Sequence, residues 1–274
     1  MQTAFLKPLM ETAPLLGSIP HGDAPDGRGR LAPGGYAISP IFFESPVEER
    51  QRCFAVPAGT RAWFRLTGFR PEAVEAILLT ARGGGAWPLL AGRWRTDFQV
   101  RRWCGWPLGE AGRAKDWTGA ESKESLRAKG EGAVGRQMDR LSLEFVTPTA
   151  FRKTGPERWN ATTPLPIPAM VWGSLQRRWQ ETFPDEGETT WDAEFLGRVL
   201  ALGRFEVRSA IMAFERHEGK VPGFIGEAEF QLHRDLSESQ RVRLWMWSEF
   251  ARYAGIGTMT AWGMGQARRK SLRD

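Results

Sequence analysis

The chain has 274 residues, 41% of them hydrophobic, which suits two domains of about 100–150 residues each. Its formal net charge is +6, and arginines make up 31 of the 38 basic residues, beside 13 tryptophans. Arginine offers a planar set of donors that suits phosphates and stacks on bases, so this composition favours a nucleic-acid partner, although a GC-rich genome produces the same bias.

The cysteine content and the lack of long apolar stretches exclude several classes of protein. The two cysteines, Cys53 and Cys104, are far apart and lack metal-ligand spacing. This argues against a zinc ribbon or a disulfide framework and predicts a reducing, cytoplasmic location. We find no signal-peptide pattern, and the longest apolar stretches are too short for a membrane span, so no membrane partner is expected.

The first half predicts part of an α+β pattern. A short helix is expected over residues 3–16, followed by a loop rich in Gly, Pro and Asp over residues 17–36. Apolar and polar residues alternate over 61–67, which predicts a half-buried strand, and Pro71 begins a predicted helix. One side of that helix is expected to carry Val74, Ile77 and Leu78.

Residues 82–138 interrupt this pattern with a stretch rich in Gly, Arg and Trp. Within it, the sequence of residues 116–130 predicts a mobile or helical segment that projects from the domain. Aromatic rings beside arginines such as Arg101 and Arg102 form a surface on which bases can stack, so RNA contact is one interpretation. The alternative is a surface insertion whose tryptophans pack locally.

The second half predicts the order strand, helix, strand, strand, helix, strand, which is the ferredoxin-like order. Its strands are expected near residues 141–148, 205–211, 226–232 and before Lys270.

Both helices of this half show a predicted apolar face. The first follows Pro168 and carries Val171, Leu175 and Trp179 on one face, with Arg177 and Arg178 elsewhere. The last begins after a cap at Ser237 or Ser239. Its apolar side is expected to contain Leu244, Trp247, Ala251 and Ala254.

Three segments of this half carry a family resemblance: Leu143–Arg152, Pro222–Gly226 and Tyr253–Gly265, in that order. They resemble segments of the CRISPR repeat endoribonucleases of the RAMP superfamily. Leu143–Arg152 resembles the opening of their second domain, and Pro222–Gly226 resembles a later hairpin strand. Tyr253–Gly265 resembles their C-terminal glycine-rich loop, with paired glycines at both ends.

The first half resembles the same family more loosely. Residues 13–43 resemble its first helix, its histidine-bearing loop and its second strand, but no convincing first strand precedes residue 3. The segment 82–138 is longer than is typical and resembles the helical finger of variant enzymes found with type IV systems, which rely more on arginine than on histidine.

This resemblance implies an α+β fold of two tandem ferredoxin-like (RAMP/RRM-like) domains, with a cleft between their sheets. We assign residues 1–138 to the N-terminal domain, with the Gly/Arg/Trp-rich segment inserted at about 82–138. Residues 139–274 form the C-terminal domain, whose Gly-rich loop covers residues 255–265.

The resemblance also implies the reaction. The 2′-hydroxyl beside the scissile phosphate attacks it, the 5′-oxygen leaves, and a 2′,3′-cyclic phosphate remains. The nucleophile belongs to the RNA, so the protein positions it, moves protons and stabilises the developing charge. No metal or cofactor is expected.

Histidine suits proton transfer because its unperturbed pKa is about 6.5. His21 matches the family's catalytic histidine, whereas we expect His217 and His233 to be structural or exposed. The competing interpretation of His21 is an exposed loop histidine without a role. Further catalytic candidates are Arg28 and Arg30 on the phosphate, and Tyr36 and Ser39 on the 2′-hydroxyl.

The glycine-rich loop and several basic residues are candidates for RNA binding. Glycine lets a backbone approach closely, so its amides can face phosphates, although a tight turn explains the same glycines. For the basic residues a solvated charged face is the competing explanation. The RNA-binding candidates are Arg101, Arg102, Arg152, Lys153, Gly255, Gly257, Gly263, Gly265, Arg268 and Arg269.

The sequence therefore predicts a metal-independent endoribonuclease that cuts CRISPR precursor RNA within a repeat stem-loop and stays bound to it. Other subunits of a CRISPR effector complex are possible partners under this hypothesis. Two alternatives remain: a catalytically inactive subunit that only binds the guide RNA, and a backbone RAMP subunit that coats spacer RNA.

Overall fold

The structure, a computed structural model, is described for part of the chain. The described residues are 25–26, 30–31, 35–44, 48–50, 53–83, 86–91, 94–99, 117–136, 138–152, 162–184, 190–213 and 220–270. The chain divides into two compact units, of which the first is Met1–Trp103 with Ala261–Gly263, and the second is Cys104–Thr260 with Met264–Asp274. Among the described helices, none has the length and apolar character that a membrane crossing needs.

The first unit contains short antiparallel strand pairs and one helix. Its strands are β1 (Pro25–Asp26), β2 (Arg30–Leu31), β3 (Tyr36–Ile38), β4 (Phe42–Phe43), β5 (Glu48–Arg50), β6 (Cys53–Ala55), β7 (Ala62–Trp63) and β8 (Leu66–Gly68). Helix α1 (Pro71–Gly83) and the hairpin of β9 (Ala86–Ala91) with β10 (Trp94–Gln99) follow. The helix begins at Pro71, as its sequence predicted.

The core of this unit lies between α1 and the strands β3 and β8, which pair antiparallel. Ala62, Phe64 and Leu66 all pack against it, as predicted. The single strand predicted over 61–67 was partly wrong, because the segment forms the two short strands β7 and β8, and Thr67 is buried as well. The predicted helix face was partly wrong, because Ala73 and Ala76 face the core together with Ile77, while Val74 is 37% exposed. Small alanines allow the helix to lie close to the strands.

The second unit is a four-stranded antiparallel sheet covered by helices. Its elements are α2 (Lys123–Gly135), β11 (Arg140–Thr149), β12 (Phe151–Arg152), β13 (Thr162–Thr163), α3 (Pro168–Thr182), α4 (Ala193–Val199), β14 (Leu200–Ala213), β15 (Lys220–Leu232), α5 (Glu238–Ala254) and β16 (Ala267–Lys270). A 3₁₀ turn (Thr260–Trp262) begins at the last residue before the segment Ala261–Gly263 of the first unit. The spatial order β14-β15-β11-β16 is that of a ferredoxin-like domain, which confirms the predicted order of this half.

The central strand β11 pairs on both edges, with β15 and with β16. Leu141, Leu143 and Phe145 alternate along it and are at most 1% exposed, because they face the helices. The register with β15 shifts between Phe145 and Thr149. Pro148 lies within this shift and has no N–H to donate, which accounts for the interruption of the ladder.

Aromatic rings join the helices to this sheet. The ring of Trp172 on α3 meets Phe230 of β15 edge-on at 5.8 Å, and Trp179 meets Phe250 of α5 in the same way at 5.2 Å. Helix α5 begins at a capping box formed by Ser237 and Gln240, so the first of the two predicted caps is confirmed. Its predicted apolar side is buried as well.

Helix α2 comes from the segment that the sequence analysis assigned to the insertion of the first domain, and it packs on α5 in the second unit. The contact is close at Gly130, where a Cβ would lie 2.7 Å from the carbonyl oxygen of Val242. Gly132, two residues along the same helix, is exposed and has no such neighbour.

We expect Gly130→Ala and Gly132→Ala to have opposite effects on stability. Both changes raise helix propensity by up to about 1 kcal/mol, but only the first inserts a methyl group into the α2–α5 contact, which costs about 1–3 kcal/mol. Urea denaturation should show a lower free energy of unfolding for Gly130→Ala and an equal or higher one for Gly132→Ala. Stabilisation by both changes would contradict the close packing of α2 on α5.

Candidate functional site

Several residues proposed for the site lie outside the described residues: His21, Arg28, Arg101, Arg102 and Lys153. His217, which was expected to be structural or exposed, lies outside them as well. Arg30 lies in β2, for which only the backbone is described, opposite Asp26 in β1. His233 is described, and its side chain is 47% exposed, as expected. The proposed catalytic roles of His21, Arg28 and Arg30 therefore stay predictions.

Tyr36 belongs to the core of the first unit. It lies on β3 opposite Gly68, is 4% exposed, and packs with Ile38, Ile41 and the alanines of α1. Desolvation by this burial raises the pKa of its phenol to about 12. The phenol is therefore a neutral group inside the core at neutral pH, which favours a structural role over contact with a 2′-hydroxyl.

Ser39 uses its hydroxyl within the strand pair. Its Oγ donates to the carbonyl of Pro40 at 2.8 Å and accepts from the N–H of Arg65 at 2.7 Å. The Ser39 N–H donates to the Arg65 carbonyl at 2.9 Å. The two bonds with Arg65 join the segments that flank β3 and β8, just beyond the last residue pair of the two strands. Together with the bond to Pro40 they satisfy the buried hydroxyl.

The four loop glycines proposed for RNA binding all have positive φ angles. Close backbone approach explains the absence of side chains at two of them, because a Cβ would lie 2.4 Å from the Ala150 carbonyl oxygen at Gly257 and 2.0 Å from the Ile256 carbonyl oxygen at Gly265. At Gly263, within the first unit, a Cβ would meet the Pro40 ring at 3.3 Å.

The amides at the base of this loop donate to internal acceptors. The Gly255 N–H donates to Ala251 O, the Gly265 N–H to Pro148 O, and the Gly257 N–H to the Ser174 hydroxyl, at 2.9, 3.0 and 2.9 Å. These three amides therefore do not face a phosphate in this structure. At these positions the described hydrogen bonds favour the tight-turn interpretation of the glycines.

The loop also reveals a residue that the sequence analysis misplaced. Arg178 was expected away from the apolar face of α3, but it is 5% exposed and its Nη2 donates to the Gly257 carbonyl at 2.9 Å. The prediction for Arg177 is correct, because that residue is exposed. Arg178 follows Val171 by seven residues, and this helical spacing could have placed it on the buried side.

The basic residues of the last strand are neutralised by carboxylates. The Arg268 Nε lies 2.7 Å from Glu144 on β11, and its guanidinium lies 4.7 Å from the centre of the Trp117 ring. Arg269 pairs with Glu249 of α5, and Lys270 pairs with Glu227 of β15. A structural charged face is thus the better-supported interpretation of Arg268 and Arg269.

Arg152 differs from these residues. It lies on the short strand β12, opposite Thr162, and its side chain is exposed. No ion pair joins it to any other residue in the described ranges. Among the described basic candidates, Arg152 is thus the best suited to bind a phosphate.

Comparison with known proteins agrees with this architecture. Residues 143–267, just under half of the chain, match the model of the CRISPR-associated endoribonuclease Cas6 family. This match confirms the resemblance to CRISPR repeat endoribonucleases stated for the second half of the sequence. A curated Cas6 endoribonuclease of Mycobacterium tuberculosis is 30% identical over 134 residues, which are 48% of this chain and 40% of the relative. The chain thus spans less than half the length of the curated relatives it matches.

Solved Cas6 structures have a fold similar to that of this chain. A Cas6 product complex of Thermus thermophilus (TTHB231) superposes with a TM-score of 0.62 at 24% identity, covering 96% of this chain and 89% of that one. A second Cas6 product complex (TTHA0078) has the same TM-score at 21% identity, covering 98% of this chain and 97% of that one. These likenesses establish a mixed helix and sheet fold of the Cas6 type.

The burial of Tyr36 gives a prediction for alkaline stability. A phenol whose pKa is near 10 in the unfolded chain and about 12 when folded stabilises the fold below pH 10 and loses that contribution as the pH rises to 12. Ionisation of this one phenol lowers the free energy of unfolding by at most about 1.4 kcal/mol per pH unit.

We therefore expect Tyr36→Phe to lose less stability than the native chain between pH 10 and 12, as measured by urea denaturation. Between pH 7 and 9 the phenol is protonated in both the folded and the unfolded chain, so the difference in stability between the two chains should be constant there and serves as the baseline. Parallel losses for the native chain and Tyr36→Phe would mean that the phenol is not desolvated.

Proposed function

We propose that this chain is an endoribonuclease that binds CRISPR precursor RNA and cuts it within the repeat. The observation that carries the proposal is the Cas6 family match over 143–267, which falls on a described ferredoxin-like unit with its glycine-rich loop in place. The solved relatives include a Cas6 product complex and a Cas6 substrate mimic complex, which supports RNA as the ligand.

We further propose that residues 1–138 form a second ferredoxin-like domain with an insertion at about 82–138, beside a C-terminal domain of residues 139–274. The antiparallel pairs β3–β8 and β4–β7 and the helix α1 supply part of such a domain. Helix α2, which lies in the proposed insertion, packs on α5 of the second unit.

The proposed reaction is metal-independent and uses the RNA as its own nucleophile. The 2′-oxygen forms a bond to phosphorus and gives up its proton to a base, while the bond from phosphorus to the 5′-oxygen breaks and an acid supplies a proton there. The product is a 2′,3′-cyclic phosphate. His21 is the proposed proton-transfer residue, because arginine has a pKa above about 12 and is a poor acid or base.

Arg28 and Arg30 are proposed to hold the scissile phosphate and to stabilise its extra negative charge. If they act alone, cleavage should be slow, because electrostatic stabilisation without proton transfer forgoes about 10²–10⁴-fold in rate. After cleavage the protein is proposed to stay on the repeat stem-loop, where other subunits of an effector complex would meet it.

Cleavage of repeat RNA in EDTA tests this function. We expect the full chain to cut the repeat, to leave a cyclic phosphate, and to spare an RNA with a single 2′-deoxy substitution at the cut site while still binding it. His21→Ala should slow the single-turnover rate by about 10²-fold or more, with little change in Kd.

Three other outcomes would revise the assignment. Cleavage that survives His21→Ala but is lost with Arg28→Ala or Arg30→Ala favours an arginine site. Binding to the repeat without cleavage indicates an inactive RNA-binding subunit. Oligomerisation along unstructured RNA, without preference for a hairpin, indicates a backbone subunit and contradicts the proposal.

A second prediction concerns Arg152, which is proposed to bind a backbone phosphate of the RNA. Loss of one phosphate contact lowers the slope of log Kd against log salt by about 1. We expect Arg152→Ala to weaken binding and to reduce this slope, as measured by a salt titration.

Arg234→Ala is the matched control, because it removes one positive charge from an exposed residue that lies by Asp235. Its salt slope should equal that of the native chain. Equal slopes for both variants would show that Arg152 contributes only net charge.

A further inference from the structure

A buried arginine on α3 is the feature that the proposed reaction does not use. Arg178 is 5% exposed, and desolvation by its surroundings lowers the pKa of its guanidinium to about 10. The group is therefore charged at neutral pH inside the protein. Neither its Nε nor its Nη1 donates to any described residue. Burying such a charge is unfavourable, so packing alone does not explain an arginine at this position.

The bond that Arg178 does make is directed at the glycine-rich loop. Its Nη2 donates to the Gly257 carbonyl, while the Gly257 N–H donates to the Oγ of Ser174, each at 2.9 Å. Ser174 and Arg178 are four residues apart and so lie on one face of α3. Both polar backbone groups of Gly257 are thus bound by side chains of a single helix.

A second attachment holds the same part of the loop. The Thr258 N–H donates to the Ala150 carbonyl at 2.9 Å, at the end of β11. The backbone of Gly257 lies so close to that carbonyl that a Cβ would be 2.4 Å from its oxygen, and Gly257 has a φ of 85°. The first arm of the loop is therefore attached to α3 on one side and to the end of the central strand on the other.

We propose that Arg178 and Ser174 are positioning residues that hold the glycine-rich loop, residues 255–265, in the conformation that binds repeat RNA. Neither residue contacts the RNA in this arrangement, and Arg178 acts through the Gly257 carbonyl. The proposal rests on the proposed function for its RNA role. The attachment of the loop to α3 can be tested without RNA.

Hydrogen–deuterium exchange of the loop amides tests the attachment. We expect Arg178→Met and Ser174→Ala to accelerate exchange at Gly257 and Thr258 by about tenfold or more, because each removes one hydrogen bond of the loop. Arg178→Lys should recover part of the protection. Arg177→Met, the exposed neighbour on α3, is the matched control and should exchange like the native chain.

Repeat RNA tests the function of the attachment. We expect Arg178→Met to raise Kd by about tenfold while the single-turnover rate at saturating protein changes by less than about threefold. Arg178→Lys should restore part of the affinity. A combined Ser174→Ala and Arg178→Met variant should be less than additive, because both side chains act on the same residue of the loop.

Native exchange at Gly257 and Thr258 in a folded Arg178→Met variant would overturn the proposal. So would faster exchange with unchanged RNA affinity. If Arg178→Met does not fold, Ser174→Ala decides both points, since it removes only a hydroxyl. If the native chain binds no repeat RNA, the proposed function and the RNA role fail, whereas the exchange result still decides whether α3 holds the loop.

Discussion

The glycine-rich loop is packed backbone against backbone, both on the end of β11 and between its own two arms, with no space for side chains at these contacts. At Gly257 a Cβ would come within 2.4 Å of the Ala150 carbonyl, and at Gly265 within 2.0 Å of the Ile256 carbonyl. The loop closes through the Ile256 N–H, which donates to the Gly265 carbonyl at 2.8 Å. Its conformation therefore depends on backbone contacts that only glycine permits.

The sheet provides the fixed surface for this contact. Strand β11 is paired on both edges and contacts helix α5, while α3 packs on the neighbouring strands β14 and β15. The register shift around Pro148 ends its regular pairing with β15, and the carbonyls of Pro148 and Ala150 become acceptors for Gly265 and Thr258. A local defect in one strand thus creates the attachment points of the loop.

Strong periodic signals made the second half predictable. The alternation of Leu141, Leu143 and Phe145 and the cap at Ser237 located a strand and a helix correctly, because each signal is local. The buried position of Arg178 was not anticipated, although its spacing from Val171 indicated it. A charged residue is ordinarily assigned to the surface, and its partner, the Gly257 carbonyl, lies 79 residues away.

The glycines and the terminal basic residues show why residue type alone was insufficient for the site. A glycine pair is compatible with amides that face a phosphate and with amides that face the protein, and only the position of Ser174 and Pro148 distinguishes the two. Arg268 and Lys270 are neutralised across the sheet by carboxylates on β11 and β15, which are distant in sequence. These pairings depend on strand register, which composition does not reveal.

The same pairings constrain how the chain can hold a polyanion. Net charge attracts RNA at long range, but a phosphate contact needs a guanidinium or ammonium group that no carboxylate already neutralises. In the described part of the second unit, Arg268, Arg269 and Lys270 form ion pairs with carboxylates of the sheet and of α5. The Nη2 of Arg178 donates to the carbonyl of Gly257 in the loop. Under the proposed function, exposed arginines such as Arg152 and a loop of fixed shape would be the groups that contact the RNA. The proposed function thus implies two classes of cation: those already paired or buried, which would stabilise the unit, and exposed ones, which would contact the ligand.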